Sequence, residues 1–422
     1  MSAVTRVREP RARPAEPSEI RGEWVDARAA AKHLGIQVRS LYAYVSRGQI
    51  RSTPGESGRP RLYALADLER LRVRRDARAG HGAVAAGALR WGEPVLDSAI
   101  TAITMRGPAY RGHLAIDLTS RSYEQVAELL WTGELGDTRP SWPRLAIPVA
   151  ALAKIVGDHA RPLDVMPLVV QLASLAERPR DAVACGRVLI PLLAASLASP
   201  FSAAAFTRAL SAPSVARIAT RALDLDEEHA RALDCALVLL ADHELNASSF
   251  AARVAASTNA DPYACVTAAL ATVSGSKHGS ASEDVARFAD RLSLERVRAE
   301  LRSLKKRGAS LPGFGHPLYA QGDPRTSPLL DATARVIERT GGTRRSKIIL
   351  AIIAATDAEP SVDVALAALV AALDLHPSTA SGLFAVARCA GWLAHALEQR
   401  EAGYLLRPRA RYIGRPIDLP GS

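Results

Sequence analysis

From about residue 90 to the end of the chain, apolar residues recur at intervals of three and four in Ala- and Leu-rich segments. Pro or Gly interrupts them at Gly107-Pro108, Pro140, Pro143, Pro148, Pro162, Pro167, Pro200, Pro213, Pro312 and Pro377. This period and punctuation predict successive amphipathic helices, and strict apolar–polar alternation, the mark of a strand, is scarce. The first fifth of the chain reads differently. Residues 1–22 place Pro10, Pro14 and Pro17 among Arg and Glu without an apolar period, which predicts a disordered arm. Residues 23–79 carry a compact pattern, and residues 80–89, rich in Gly and Ala, read as a linker.

Within 23–79 the pattern predicts helix, turn, helix, hairpin, helix. Asp26 is placed to cap a first helix whose inner face is Ala27, Ala30 and Ala31, with Leu34 at its end. Gly35 supplies a turn, and a second helix carries Leu41, Tyr44 and Val45 inward. Gln37, Arg39, Ser40, Tyr42 and Ala43 are left outward. Arg51 to Tyr63, with Pro54, Gly55 and Gly58, reads as a basic hairpin, and Asp67 to Asp76 as a last helix. These fifty or so residues resemble the winged helix-turn-helix of the MerR and excisionase families. The resemblance implies that Gln37, Arg39 and Ser40 approach base edges and that Arg51, Arg59 and Arg61 contact phosphates. The plainer alternative is a small docking or dimerisation module with a solvated basic face.

Charge sharpens the division. Residues 1–90 hold 18 Lys/Arg against 9 Asp/Glu, whereas the rest holds 36 against 34, so nearly all of the net +11 lies at the N-terminus. A basic module on a nearly neutral body suggests a polyanion partner for the module, DNA above all. Aromatics are only 5% of the chain, in keeping with closely packed helices rather than a β-sandwich. The four cysteines, Cys185, Cys235, Cys265 and Cys389, form no CxxC pair, so buried thiols are expected rather than a zinc site or disulfide framework. No run is long and apolar enough to span a membrane, and the first residues lack an apolar leader core. A cytoplasmic protein is expected.

Three of the ten histidines have unusual surroundings. His243 opens HELNASSFAARVAAST, His278 lies in SGSKHGSASEDV, and His316 lies in LPGFGHPLYAQGDPR, with Arg325 nine residues on. Loops of small residues that present one imidazole suit a site better than a core. His243-Glu244 is not a zinc motif, because Ala247 stands where a second His is needed, and no metal is implied.

Together these segments resemble the signatures of the citrate synthase family, H-E-x-N-A-S-T, G-x-x-H-G-G-A-x-E and G-F-G-H followed by D-P-R. YRGH at Tyr110, LLWTGEL at Leu129, SVDV at Ser361, LFAVARCAGWLAHALEQ at Leu383 and RPRARY at Arg407 add to the match. The resemblance covers about 90–422 and implies an all-α fold, with a large domain (90–279 and 376–422) interrupted by a small one (280–375). It implies a homodimer with the site in the cleft and closure over the substrate. It also implies the joining of acetyl-CoA to oxaloacetate, with release of citrate and CoA and no further cofactor. Asp363 would be the base, His278 the donor to the thioester oxygen, and His316 the donor to the oxaloacetate carbonyl. His243, Arg325, Arg388 and Arg407 would hold the carboxylates, Arg407 in the partner's site. Gly313, Phe314, Gly315, Arg344, Arg345 and Lys347 are candidates to touch CoA.

The chain departs from the family pattern at Lys277, Ser280, Ser249 and Pro317. It also departs at Val364-Ala365-Leu366-Ala367, where the usual F-Y-S-G would form one pocket wall. Two other functions stay open. One is 2-methylcitrate synthesis from propionyl-CoA, since one methylene is discriminated by pocket shape. The other is a DNA-binding regulator whose body senses CoA esters or oxaloacetate.

Overall fold

The computed structural model describes residues 24–410 apart from 35, 47–48, 55–60, 66, 69–70, 72–95, 158, 178–180, 199 and 320, and also 414–415. The chain divides into two compact units, Met1–Asp97 and Ser98–Ser422. The expected arm and linker, Arg59, and most of the helix expected at 67–76 lie outside the described residues.

In the first unit, β1 (Trp24–Asp26) leads into α1 (Ala27–Leu34) and α2 (Val38–Ser46), followed by β2 (Ser52–Thr53) and β3 (Leu62–Ala64). The three strands form an antiparallel sheet in the order β1-β3-β2, with Val25 and Ser52 both opposite Tyr63. Asp26 caps α1 as expected, its Oδ1 accepting from the Ala29 N–H at 2.8 Å. Ala30, Leu34, Leu41, Ile50, Tyr63, Leu68 and Leu71 make a small core. The opening strand is not visible in the sequence, because three residues are too few to display alternation.

Two expectations for the surface of this unit change. Gln37, Arg39 and Arg61 are exposed, whereas Ser40 is only partly so. Arg51 is already engaged: its Nε and Nη2 bind Asp67 at 2.9 and 3.3 Å, and its backbone N–H donates to the same carboxylate at 2.8 Å. A carboxylate that takes three hydrogen bonds from one residue ties the loop to the module's interior, so Arg51 serves the fold before it serves a phosphate.

The second unit opens with a small antiparallel sheet, β4 (Thr101–Thr104), β5 (Gly107–Tyr110) and β6 (His113–Leu114). Helices then follow: α3 (Tyr123–Thr132), α4 (Val149–Ile155), α5 (Pro162–Ala176), α6 (Ala182–Ala195), α7 (Ala203–Leu210), α8 (Val215–Ala222), α9 (Ala230–Leu240) and α10 (Ala247–Ser257). The rest are α11 (Pro262–Val273), α12 (Ala281–Asp290), α13 (Val297–Arg307), α14 (Thr326–Thr340), α15 (Arg344–Ala355), α16 (Val362–Ala372) and α17 (Thr379–Ala402). Among the described residues the fold is mostly helical, as the period predicted, with the two small sheets as the departure from a purely α chain.

Two hydrophobic cores organise this unit. The larger gathers side chains of α3, α5, α6, α8, α9, α11, α14, α16 and the central α17. The smaller joins α12, α15 and α16 with Val297. Helix α16 serves both, with Ala365, Leu366 and Leu369 in the larger core and Val364, Ala367 and Ala368 in the smaller. Val364, Ala365, Leu366 and Ala367, expected to alter a pocket wall, are therefore core residues at 0–2% exposure. A helix apolar on all sides belongs between two packed layers. All four cysteines are buried thiols.

Candidate active site

Four chain segments place the candidate residues at helix ends or in short turns. Asn246 caps α10, its Oδ1 accepting from the N–H groups of Ser248 and Ser249 at 3.1 and 3.0 Å, and so holds His243 just ahead of the helix. His278 sits in the turn from α11 to α12. That turn needs Gly279: a Cβ there would lie 2.3 Å from the Val273 carbonyl oxygen, which accepts the Gly279 N–H at 3.0 Å. Ser280 stands in for a family glycine at no strain, since its φ of −94° is open to any residue, and its Oγ donates to the Ser276 carbonyl at 2.7 Å. Lys277 is exposed.

His316 follows Gly313 and Gly315, both with positive φ, and Phe314 lies against Pro360 across a β-bridge. The loop is clamped by Gly315 N–H to the Glu359 carbonyl at 2.9 Å and Ser361 N–H to the Gly313 carbonyl at 3.0 Å. Asp363 then stands in the first turn of α16, which Ser361 caps.

The hydrogen bonds constrain the protons. His316 Nδ1 accepts the Leu318 backbone N–H at 3.2 Å, so a neutral ring carries its proton on Nε2. His278 Nε2 lies 2.9 Å from Ser248 Oγ, which also accepts from Trp392 Nε1 at 3.0 Å and donates to Asn246 Oδ1 at 2.8 Å. In this arrangement a neutral His278 carries its proton on Nε2, and the ring's proton resides on Nδ1 only when the serine proton turns from Asn246 to His278. His243 Nε2 is 2.7 Å from the Tyr319 hydroxyl.

Burial and neighbouring cations keep all three rings uncharged at neutral pH. His278 is pushed down to about 4 by desolvation and then by Arg388. His243 lies well below the ordinary histidine value through desolvation, Arg325 and Arg388, and His316 is lowered by desolvation and Arg325. Asp363 moves the other way: desolvation raises it, against the pull of Arg325, and Ser282 and Ser361 hydroxyls bind its two oxygens at 3.3 and 3.4 Å. A carboxyl raised toward neutrality beside neutral imidazoles is suited to proton transfer.

The cations differ in what they are free to do. Arg325, buried, is paired with Asp323 through Nε and Nη2 at 3.0 and 2.7 Å. Arg388, also buried, donates its Nε–H to the Leu240 carbonyl at 2.8 Å and lies over the Phe384 ring at 4.6 Å. Among the described residues no carboxylate is ion-paired with it. Arg407 is exposed in a segment without regular structure. Arg344 and Arg345, candidates for CoA phosphates, also make contacts within the fold. The first binds the Leu292 carbonyl and the second Asp290, with its shorter contact at 2.7 Å. Lys347 is exposed. No cluster able to hold a metal occurs among the described residues.

Reading the residues alone missed the partners: Ser248, Ser282, Asp323, Phe384 and Tyr319. Ser248, Ser282, Asp323 and Tyr319 sit inside the motifs that flagged the histidines, but nothing in their spacing said what they touch.

A mostly helical chain gathers a raised carboxyl, three neutral imidazoles and two buried arginines, groups suited to proton transfer beside an anion. The comparisons place it further. The profile of citrate synthase, C-terminal domain, matches residues 88–409. The citrate synthase of Mycolicibacterium smegmatis is 30% identical over 335 residues, 73% of this chain and 89% of that protein. Citrate synthase 2 of Bacillus subtilis is 37% identical over 188 residues, 43% of this chain and only half of that protein. A 2-methylcitrate synthase of Mycobacterium tuberculosis is 30% identical over 347 residues, 74% of this chain and 86% of that protein. Among solved structures, citrate synthase of Thermotoga maritima matches with a TM-score of 0.63 at 25% identity, covering 78% of this chain and 95% of that one. Citrate synthase of Thermoplasma acidophilum, solved with carboxymethyl coenzyme A and oxaloacetate, shares the fold at a TM-score of 0.65 and 20% identity, covering 79% and 97%. The chain belongs to the citrate synthase family.

Proposed function

We propose that this chain condenses acetyl-CoA with oxaloacetate and hydrolyses the resulting thioester to citrate and CoA, as a cytoplasmic homodimer. The observation that carries this reading is Asp363, a carboxyl raised by burial and set in the field of Arg325 and His316. A methyl group beside a thioester is a weak acid, so its base must be strong and the enolate oxygen must meet a donor. Asp363 takes the proton, and His278, once the Ser248 proton has turned from Asn246 to its Nε2, donates to the thioester oxygen from Nδ1. The enolate carbon attacks the ketone of oxaloacetate, whose oxygen receives the Nε2 proton of His316. Water then cleaves the thioester. Neutral imidazoles donate without placing a second full charge beside the arginines.

Arg388, which has no ion-paired carboxylate among the described residues, and Arg325, neutralised by Asp323, hold the substrate carboxylates with His243, and Arg407 reaches the partner's site. Gly313, Phe314, Gly315 and Lys347 line the CoA approach. The small domain, 280–375, closes on the large one, 90–279 and 376–422. The test is CoA release from oxaloacetate with acetyl-CoA or propionyl-CoA, using the His278→Ala protein as blank. Turnover lost in the blank supports the reading. A faster rate with propionyl-CoA would make it a 2-methylcitrate synthase, the activity for which the Mycobacterium tuberculosis relative is named. Binding without turnover would leave a ligand sensor.

A second reading concerns the basic unit, with its exposed Gln37, Arg39 and Arg61. We propose that it is a winged helix-turn-helix that binds DNA. Gln37, just ahead of α2, and Arg39 in its first turn approach bases, and Arg61 approaches the backbone.

A further inference from the structure

A short contact within the site involves a residue with no role so far. Tyr319, 5% exposed, puts its hydroxyl 2.7 Å from His243 Nε2. Its ring centroid lies 5.6 Å from that of His243 and 5.2 Å from that of His316, and the Arg325 guanidinium is 5.8 Å from it. Tyr319 therefore stands among three groups proposed to hold one substrate.

It is also fixed there. Its N–H donates to the His316 carbonyl at 2.9 Å, and its own carbonyl accepts the Gly322 N–H at 3.1 Å. Those bonds hold its backbone, while burial and the hydroxyl's bond to His243 hold the ring. Substrate must then meet the pair as it stands. Burial holds the phenol well above its ordinary range, so it remains an O–H donor, and His243 stays neutral with one N–H. For an incoming anion the favoured arrangement is a chain. Nε2–H donates to the phenol oxygen, and the phenol O–H donates to the carboxylate, a charge-assisted bond strengthened by the one behind it.

We propose that Tyr319 is a further dicarboxylate-binding residue, its hydroxyl carrying the hydrogen bond of His243 on to a carboxylate oxygen of the substrate. This rests on the oxaloacetate reading above. Calorimetric titration of oxaloacetate into the wild type, Tyr319→Phe, His243→Ala and the double variant tests it.

Loss of one hydrogen bond to a charged group predicts roughly ten- to hundredfold weaker binding by Tyr319→Phe. KM should rise far more than kcat falls, and the double variant should bind little worse than the weaker single one, as expected for a chain. Unchanged affinity in Tyr319→Phe, or fully additive losses, overturns the proposal while leaving the enzyme reading intact. A wild type that binds no oxaloacetate overturns both. Should Tyr319→Phe lose the native thermal transition, 3-fluorotyrosine at position 319 replaces it. Its more acidic hydroxyl should tighten binding, and unchanged binding again overturns the proposal.

Discussion

The two units of this chain handle charge in opposite ways. The N-terminal unit leaves Arg39 and Arg61 in solvent on a core of seven buried residues, and its ion pair Arg51–Asp67 joins a largely exposed guanidinium to a buried carboxylate. The helical body has a near-neutral sequence, yet it buries Arg325 and Arg388 at 3% and 2% exposure, with Asp323 at 4%. A surface charge is screened and interacts weakly with its neighbours, so it works in numbers and through long-range attraction. A buried charge shifts the protonation of every group near it, as Arg388 does for His278 and Arg325 for Asp363. Net charge thus reports on exposed surface, and says little about the buried charges that shift their neighbours' protonation.

The contrast breaks most sharply at Asp363. Asp363→Asn should cost about 10²–10⁴-fold in turnover, the usual contribution of a positioned base, while oxaloacetate binding stays close to wild type. Its carboxyl is raised in the folded state, so folding disfavours the ionised form. That cost is absent below the unfolded pKa and appears as pH rises through the folded one. The asparagine protein should therefore melt higher than wild type at pH 8 and converge with it near pH 4. A melting curve that falls at pH 8 would contradict a desolvated base.

Next in size is Gly279→Ala. The added methyl would meet the Val273 carbonyl, which is backbone and cannot rotate aside. Overpacking of this kind costs roughly 1–3 kcal/mol. Because the displaced residue adjoins His278, turnover should drop about a hundredfold, by analogy with losses from misplacement of about 1 Å. A fully active variant would show that His278 is not held by this turn.

The smallest expected effect on catalysis is the removal of residues 1–80. The family match begins only at residue 88, so turnover should stay within about twofold, inside the ~0.5 kcal/mol of ordinary surface changes. DNA retention by the full chain should disappear in the truncated form and weaken with added salt in the intact one. Loss of activity on truncation would mean that the units depend on each other.

Much of this was legible in the chain. The period of three and four announced the helices, and the three histidine loops fell where helices begin or end. Asp26 and Leu41 could be assigned to cap and core before any coordinates, because capping and amphipathic spacing are local. Several assignments were not legible. Arg51, Arg344 and Arg345 look like free cations in sequence, yet each is bound by a group 16 to 55 residues away. Val364 to Ala367 follow a candidate base and look like a pocket wall. Their placement in two cores depends on which helices flank α16.

Residue types, their local spacing and the motifs are properties of a one-dimensional string. They determined the helical class, the N-terminal charge and which histidines could be reactive. Only the tertiary structure decided which of these groups meet, because hydrogen bonds and desolvation act over 3–6 Å in space regardless of distance along the chain. His243 and Tyr319 are separated by 76 residues and share one proton's worth of geometry at 2.7 Å. Asp363 is an ordinary aspartate until burial, Arg325 and Ser282 surround it.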